Sequence, residues 1–84
     1  MPIAGVTILT EPGKTMDVLN ELQALDNLTT YGIHKDIYII AVLEGNSSSD
    51  LEKMTGEIQK NTAGILGIYP AYINFEDEIE SGSN

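Results

Sequence analysis

Cysteine and tryptophan are absent from the chain, arginine does not occur, and histidine occurs once, at His34. Without cysteine there is no disulfide framework, no thiolate nucleophile and no thiolate metal ligand. With a single histidine no histidine pair can hold a metal, and any catalytic triad would have to be built around His34, which reads as an ordinary surface residue near a hairpin turn. Positive charge is scarce as well. Four lysines stand against thirteen acidic residues, a formal net charge of −9. Such a field repels phosphate backbones and anionic lipid, so neither nucleic acid nor a membrane surface is an expected partner. A cationic partner would be attracted, although acidity also serves solubility alone. No apolar run approaches the roughly 18–20 residues that span a bilayer. Met1-Pro2-Ile3 lacks the positive charge that opens a secretory signal, so the expected location is cytoplasmic.

What is present fits one small folded domain: 84 residues, 42% of them apolar. Residues 3–10 are β-branched and apolar and stop at Glu11-Pro12-Gly13, a strand closed by a turn. From Lys14 to Leu25, Met16, Val18, Leu19, Leu22 and Leu25 recur at helical spacing, and Asp26-Asn27 is the expected stop. Leu28 to His34 is a weaker strand containing Gly32, and the polar link Lys35-Asp36 leads to the strongest strand, Ile37 to Glu44. These two strands are expected to pair as a hairpin. After the loop Gly45 to Ser49, the spacing of Ser49 and Glu52 predicts a capping box, followed by a second helix with Leu51, Met54 and Ile58 on its apolar stripe. Ile65 to Phe75 is the last strand, and Pro70 confines it to a sheet edge or a bulge. Residues 1–75 thus read as one domain. Residues 76–84, with Glu76, Asp77, Glu78 and Glu80, read as an acidic disordered tail.

The order strand, helix, strand occurs twice about a hairpin. Two right-handed crossovers of that kind give an α+β fold of ferredoxin-like βαββαβ type, a four-stranded antiparallel sheet in the order 4-1-3-2 with both helices on one face. The fourth strand then falls at an edge, as Pro70 requires.

No catalytic, metal or cofactor site is expected. Gly45-Asn46-Ser47-Ser48-Ser49 lacks the spaced glycines and lysine of a phosphate loop. Asp17, Glu21, Glu52 and Glu57 fall on solvated helix faces, and the run Glu76 to Glu80 lacks the glycine of a calcium loop. The informative feature is a surplus of apolar residues for a sheet covered on one side. Alternation sends Ile37, Ile39, Ala41 and Leu43 one way and Tyr38, Ile40 and Val42 the other. If Val6 and Ile8 join the first set beneath the helices, then Ile3, Gly5, Thr7 and Leu9 face away. In the last strand Leu66, Ile68 and Tyr72 are expected inward, and Gly67, Tyr69, Ala71 and Ile73 outward. The uncovered face would carry an apolar patch of the kind that marks an interaction surface. Within it Gly5, Thr7, Gly67 and Ala71 would form a shallow trough between bulkier residues, suited to an apolar helix. A second copy of the chain stacking sheet on sheet, a homodimer through the open face, is the alternative occupant.

Ile3 to Ile8 followed by Glu11-Pro12, the stretch Leu22 to Leu28 leading into a short strand, the strand ending Leu43-Glu44, and Gly64-Ile65-Leu66 together resemble the NapD family, cytoplasmic chaperones for the periplasmic nitrate reductase. The likeness runs over roughly residues 3–75, with Asn27 where the family usually has glycine and Ile73-Asn74-Phe75 where it often has histidines. It implies a non-enzymatic protein that binds the twin-arginine signal peptide of the molybdenum-containing catalytic subunit and holds export until the cofactor is loaded. The peptide-binding residues would be Ile3, Gly5, Thr7, Leu9, Tyr38, Ile40, Val42, Gly67, Tyr69, Ala71 and Ile73. A second reading from the same topology is a small-molecule-sensing or dimerisation domain of the ACT or Lrp-regulator type. An acylphosphatase-like enzyme would need an arginine in its phosphate loop, which this chain lacks.

Overall fold

The structure, a computed structural model, describes residues 2–74. The elements are β1 (Ile3–Thr10), α1 (Thr15–Leu22), β2 (Leu28–His34), β3 (Tyr38–Glu44), α2 (Ser48–Asn61) and β4 (Ile65–Asn74). All strand pairs are antiparallel, and the sheet order β2-β3-β1-β4 is the expected 4-1-3-2 arrangement seen from the other edge. The fold is ferredoxin-like α+β. The expected tail, residues 76–84, lies outside the described residues.

One face of the sheet and both helices enclose the core. Ala4, Val6 and Ile8 of β1 and Ile39, Ala41 and Leu43 of β3 are buried together with Leu28, Val18 and Leu22 of α1, and Leu51 and Ile58 of α2. The strict alternation of buried and half-buried residues along β1 is the period of two that a one-sided sheet demands.

The helices differ from their expected bounds. α1 has eight residues and stops at Leu22 instead of Leu25. Beyond it the N–H groups of Ala24 and Leu25 donate to the carbonyls of Glu21 and Leu22, a tightening to three-residue spacing that ends the helix. Of its apolar residues two turns bury only Val18 and Leu22, and Met16 and Leu25, expected on the stripe, are 58% and 40% exposed. In α2 the cap lies two residues earlier than the Ser49 and Glu52 pair. Ser47 Oγ accepts from the Asp50 N–H at 3.0 Å, and Asp50 Oδ2 accepts from the Asn46 N–H at 2.9 Å. The shorter aspartate reaches back to a backbone amide before the cap and so closes a box in the role expected of a glutamate.

Turn chemistry fixes the ends of β1, β2 and β3. Glu11-Pro12-Gly13-Lys14 is a tight turn in which Lys14 N–H donates to Glu11 O at 3.0 Å and Gly13 takes φ 86°. In the β2–β3 hairpin both central residues, Lys35 (φ 54°) and Asp36 (φ 66°), are left-handed. That geometry matches the strand twist and favours Asn-Gly over the residues found here. A buried hydroxyl cluster holds the turn in place. Thr15 Oγ1 donates to Asp36 O at 2.7 Å and lies 2.6 Å from Thr10 Oγ1, while the Thr10 N–H donates to Ile37 O at 2.9 Å. Ile37, expected on the inward row of β3, therefore sits in the turn, half-buried.

β4 carries two register shifts against β1, between Leu9 and Thr10 and between Gly5 and Val6. The first leaves Leu66 without a β1 partner. Expected inward, Leu66 is instead 51% exposed, and Ile65 and Ile68 pack against the core. The second lies beside Pro70, where the sequence required an edge or a bulge: Pro70 pairs with Val6, Tyr72 with Gly5, and Ala71 is the extra residue.

Candidate functional site

The strand registers order the open face into rows across the sheet, since antiparallel partners share a face. His34, Tyr38, Leu9 and Gly67 form the row nearest the β2–β3 turn. Next come Gly32, Ile40, Thr7 and Tyr69, and then Thr29, Val42, Gly5 and the position of Tyr72. The far row holds Glu44 beside Ile3. Nine of the residues singled out by alternation, Ile3, Gly5, Thr7, Leu9, Tyr38, Ile40, Val42, Gly67 and Tyr69, thus stand on one face. Ile3, Gly5, Thr7, Leu9, Tyr38 and Val42 are half-buried by their neighbours, and Ile40 and Tyr69 are 39% and 53% exposed. Among the described residues both helices pack on the opposite face, so this surface is apolar and uncovered.

Gly67, Ala71 and Ile73 sit differently from a simple trough. An ideal Cβ at Gly67 would lie 2.6 Å from Tyr69 Cζ and 2.9 Å from Tyr69 Cε2, because the ring folds back over the glycine two residues earlier. Gly67 is buried for that reason. The aromatic ring occupies the space expected to be hollow, an arrangement that compensates a strand glycine for its missing side chain. Ala71 is the exposed bulge residue without a β1 partner, and the register sets Ile73 opposite Ala4. One added residue inverts the parity of the positions after it. The small residues bordering the face are therefore Gly5, Thr7 and Gly32, and they lie on β1 and β2 rather than along β1 and β4.

Three contributors to this surface escaped the sequence reading. His34 pairs with Tyr38, their ring centroids 6.5 Å apart and tilted by 39°. Gly32, at φ 134°, follows the Tyr31 bulge of β2 and keeps the β2 side of the face low. Glu44 closes the far end. None of the three had a signal in the sequence, whereas the packing of Tyr69 on Gly67 did, in the spacing of two that puts a ring over a glycine on one strand face.

On the helix side a cleft of about 370 Å³ lies between the α1–β2 connection and α2. Leu28, Leu43 and Ile58 form its floor, and Asp26, Asn27, Glu57, Asn61 and Thr62 are its polar groups. No histidine, lysine or cysteine lines it. No three potential metal ligands are grouped among the described residues, and no helix among them is long and apolar enough to cross a membrane. The arrangement can hold an apolar surface.

The sequence model of one family, described as NapD protein, matches residues 1–77. No curated protein and no solved structure shows significant similarity to the chain.

Proposed function

The chain belongs to the NapD family, a chaperone-type family that takes part in nitrate reductase maturation, and from that premise we propose that it is a cytoplasmic chaperone for the twin-arginine signal peptide of the molybdenum-containing catalytic subunit. Bound on the open sheet face, the peptide is withheld from export until the cofactor is in place. The observation that carries this reading is the uncovered apolar face centred on Thr7, Ile40 and Tyr69, opposite the side that both helices cover. Exposed apolar surfaces of that kind mark interaction sites.

Such a peptide has two chemical parts, an arginine pair and an apolar helical stretch. A net charge of −9 raises the encounter rate with the first. The face receives the second. Each large apolar side chain fully buried contributes about 1.5–3 kcal/mol, so about six of them, roughly 9–18 kcal/mol together, offset an association cost of several kcal/mol and leave the roughly 8 kcal/mol of a micromolar-range Kd. Calorimetric titration of the chain with a synthetic twin-arginine peptide should give a saturable heat in that range. A flat titration, with no change in the amide spectrum of the chain, would remove the proposal.

A further inference from the structure

Charge is unevenly spread along the strand direction, and the two ends of the open face differ in kind. The end next to the β2–β3 turn is fixed by the Thr10 N–H donating to Ile37 O at 2.9 Å and by the Glu11 N–H donating to Gly64 O at 2.8 Å. Lys14, Lys35 and Lys60 belong to the segments that end there and largely offset Glu11, Asp17 and Asp36. One of these offsets is a direct ion pair, Lys14 Nζ to Glu11 Oε1 at 3.8 Å. The opposite end is fixed by the Glu44 N–H donating to Asn27 O at 2.9 Å and the Gly45 N–H donating to Pro2 O at 3.2 Å. Around it stand Glu21, Asp26, Glu44, Asp50 and Glu52, with Lys53 the only lysine among the described residues of that half. Of these carboxylates Glu44 falls on the open face itself, exposed and in register with Ile3.

From this asymmetry, and resting on the peptide-binding reading above, we infer that the open face fixes the direction of its ligand: the arginine pair lies at the Ile3 and Glu44 end, and the apolar stretch runs over Thr7 and Ile40 toward Leu9 and Tyr38. The reverse direction sets two guanidinium groups beside Lys35 and Lys14 and leaves Glu44 under apolar side chains. Length agrees with this placement. Six strand steps from Ile3 to Leu9 cover roughly 20 Å, which is the length of about thirteen helical residues. An apolar stretch of one signal-peptide core therefore spans the face once, and the charged pair falls at its edge.

Direction is read with two synthetic peptides, each an arginine pair followed by about twelve apolar residues, carrying a nitroxide label at the arginine end in one and at the apolar end in the other. In amide spectra of the isotope-labelled chain the first label should broaden Ile3, Gly5 and Glu44, and the second should broaden Leu9, His34 and Tyr38. The opposite pattern, or equal broadening of both ends by each label, overturns the inference while leaving peptide binding intact. Absence of both broadening and heat removes binding and direction together. A charge test is independent of the labels. Glu44→Gln should weaken the peptide by about three- to tenfold at low salt, as expected for a partly exposed charge pair. That loss should vanish at 0.5 M salt and with arginines replaced by glutamines, and Lys35→Gln should stay within about twofold. Equal losses for Glu44→Gln with both peptides would contradict it.

Discussion

Thr7→Asp is the substitution that most directly probes an apolar peptide footprint. Thr7 sits in the central row of the open face, between Ile40 and Tyr69, and is half-buried by those neighbours with no helix above it. An aspartate there is close to threonine in size and stays hydrated in the free protein, so the cost to the fold is limited to lower strand propensity, about 1 kcal/mol or less. Under a bound apolar helix the same carboxylate is desolvated, and it is too short to reach around the ligand to water. Full burial of an unpaired charge costs several kcal/mol, and a face open at both sides reduces this to about 2–4 kcal/mol. Arginines over Glu44 are four strand steps away, roughly 13 Å. Each returns about 0.3–1.3 kcal/mol for an effective dielectric between 80 and 20, and because the separation exceeds the screening length of roughly 8–10 Å the two together return about 1 kcal/mol or less. The net loss is about 1–3.5 kcal/mol, a weakening of roughly fivefold to several-hundredfold. Calorimetry with the twin-arginine peptide reads it, and urea unfolding checks the fold. Thr55→Asp, on α2, changes the net charge equally on the helix side and should leave affinity within about twofold. Tighter binding by both variants would show that overall charge, not burial, holds the peptide, and the reasoning would fail.

Two further outcomes are expected from the fold. Gly64→Ala should destabilise the chain by about 2–4 kcal/mol in urea, because residue 64 is held at φ 98° and the new Cβ would lie 2.9 Å from Val18 Cγ2 in the core; an unchanged midpoint would contradict the packing described for α1. The pair Lys35→Asn and Asp36→Gly should stabilise by about 1–2 kcal/mol, since both positions are left-handed and the Thr15 hydroxyl bonds only the backbone carbonyl of residue 36. A loss of stability there would show that the side chains of the turn, and not its dihedrals, set the hairpin.

Element order and sheet topology were legible because the chain obeys local rules. Alternation over Ile3 to Thr10 and Tyr38 to Glu44 is unbroken, and the turn after β1 carries its own chemistry in Pro12-Gly13. The composition of the open face came from the same alternation. The features that the sequence concealed lie where that period is interrupted. Extra residues at Tyr31, Leu66 and Ala71 leave no mark in hydrophobicity, yet each changes the parity of the strand positions beyond it. The short α1 was equally hidden, because Leu25 continues the helical spacing after the backbone has already tightened into a turn. Glu44 and His34 were overlooked as site residues for a different reason: one charged and one lone titratable side chain acquire meaning only from the rows in which the registers place them.

Whether the helix-free face receives the peptide is tested most directly by mapping amide shifts of the isotope-labelled chain on titration with an unlabelled twin-arginine peptide. The largest shifts should fall at Gly5, Thr7, Ile40, Val42 and Tyr69, with α2 almost unmoved. Shifts concentrated instead at Leu25, Met54 and Ile58, around the cleft on the helix side, would contradict binding on the open face.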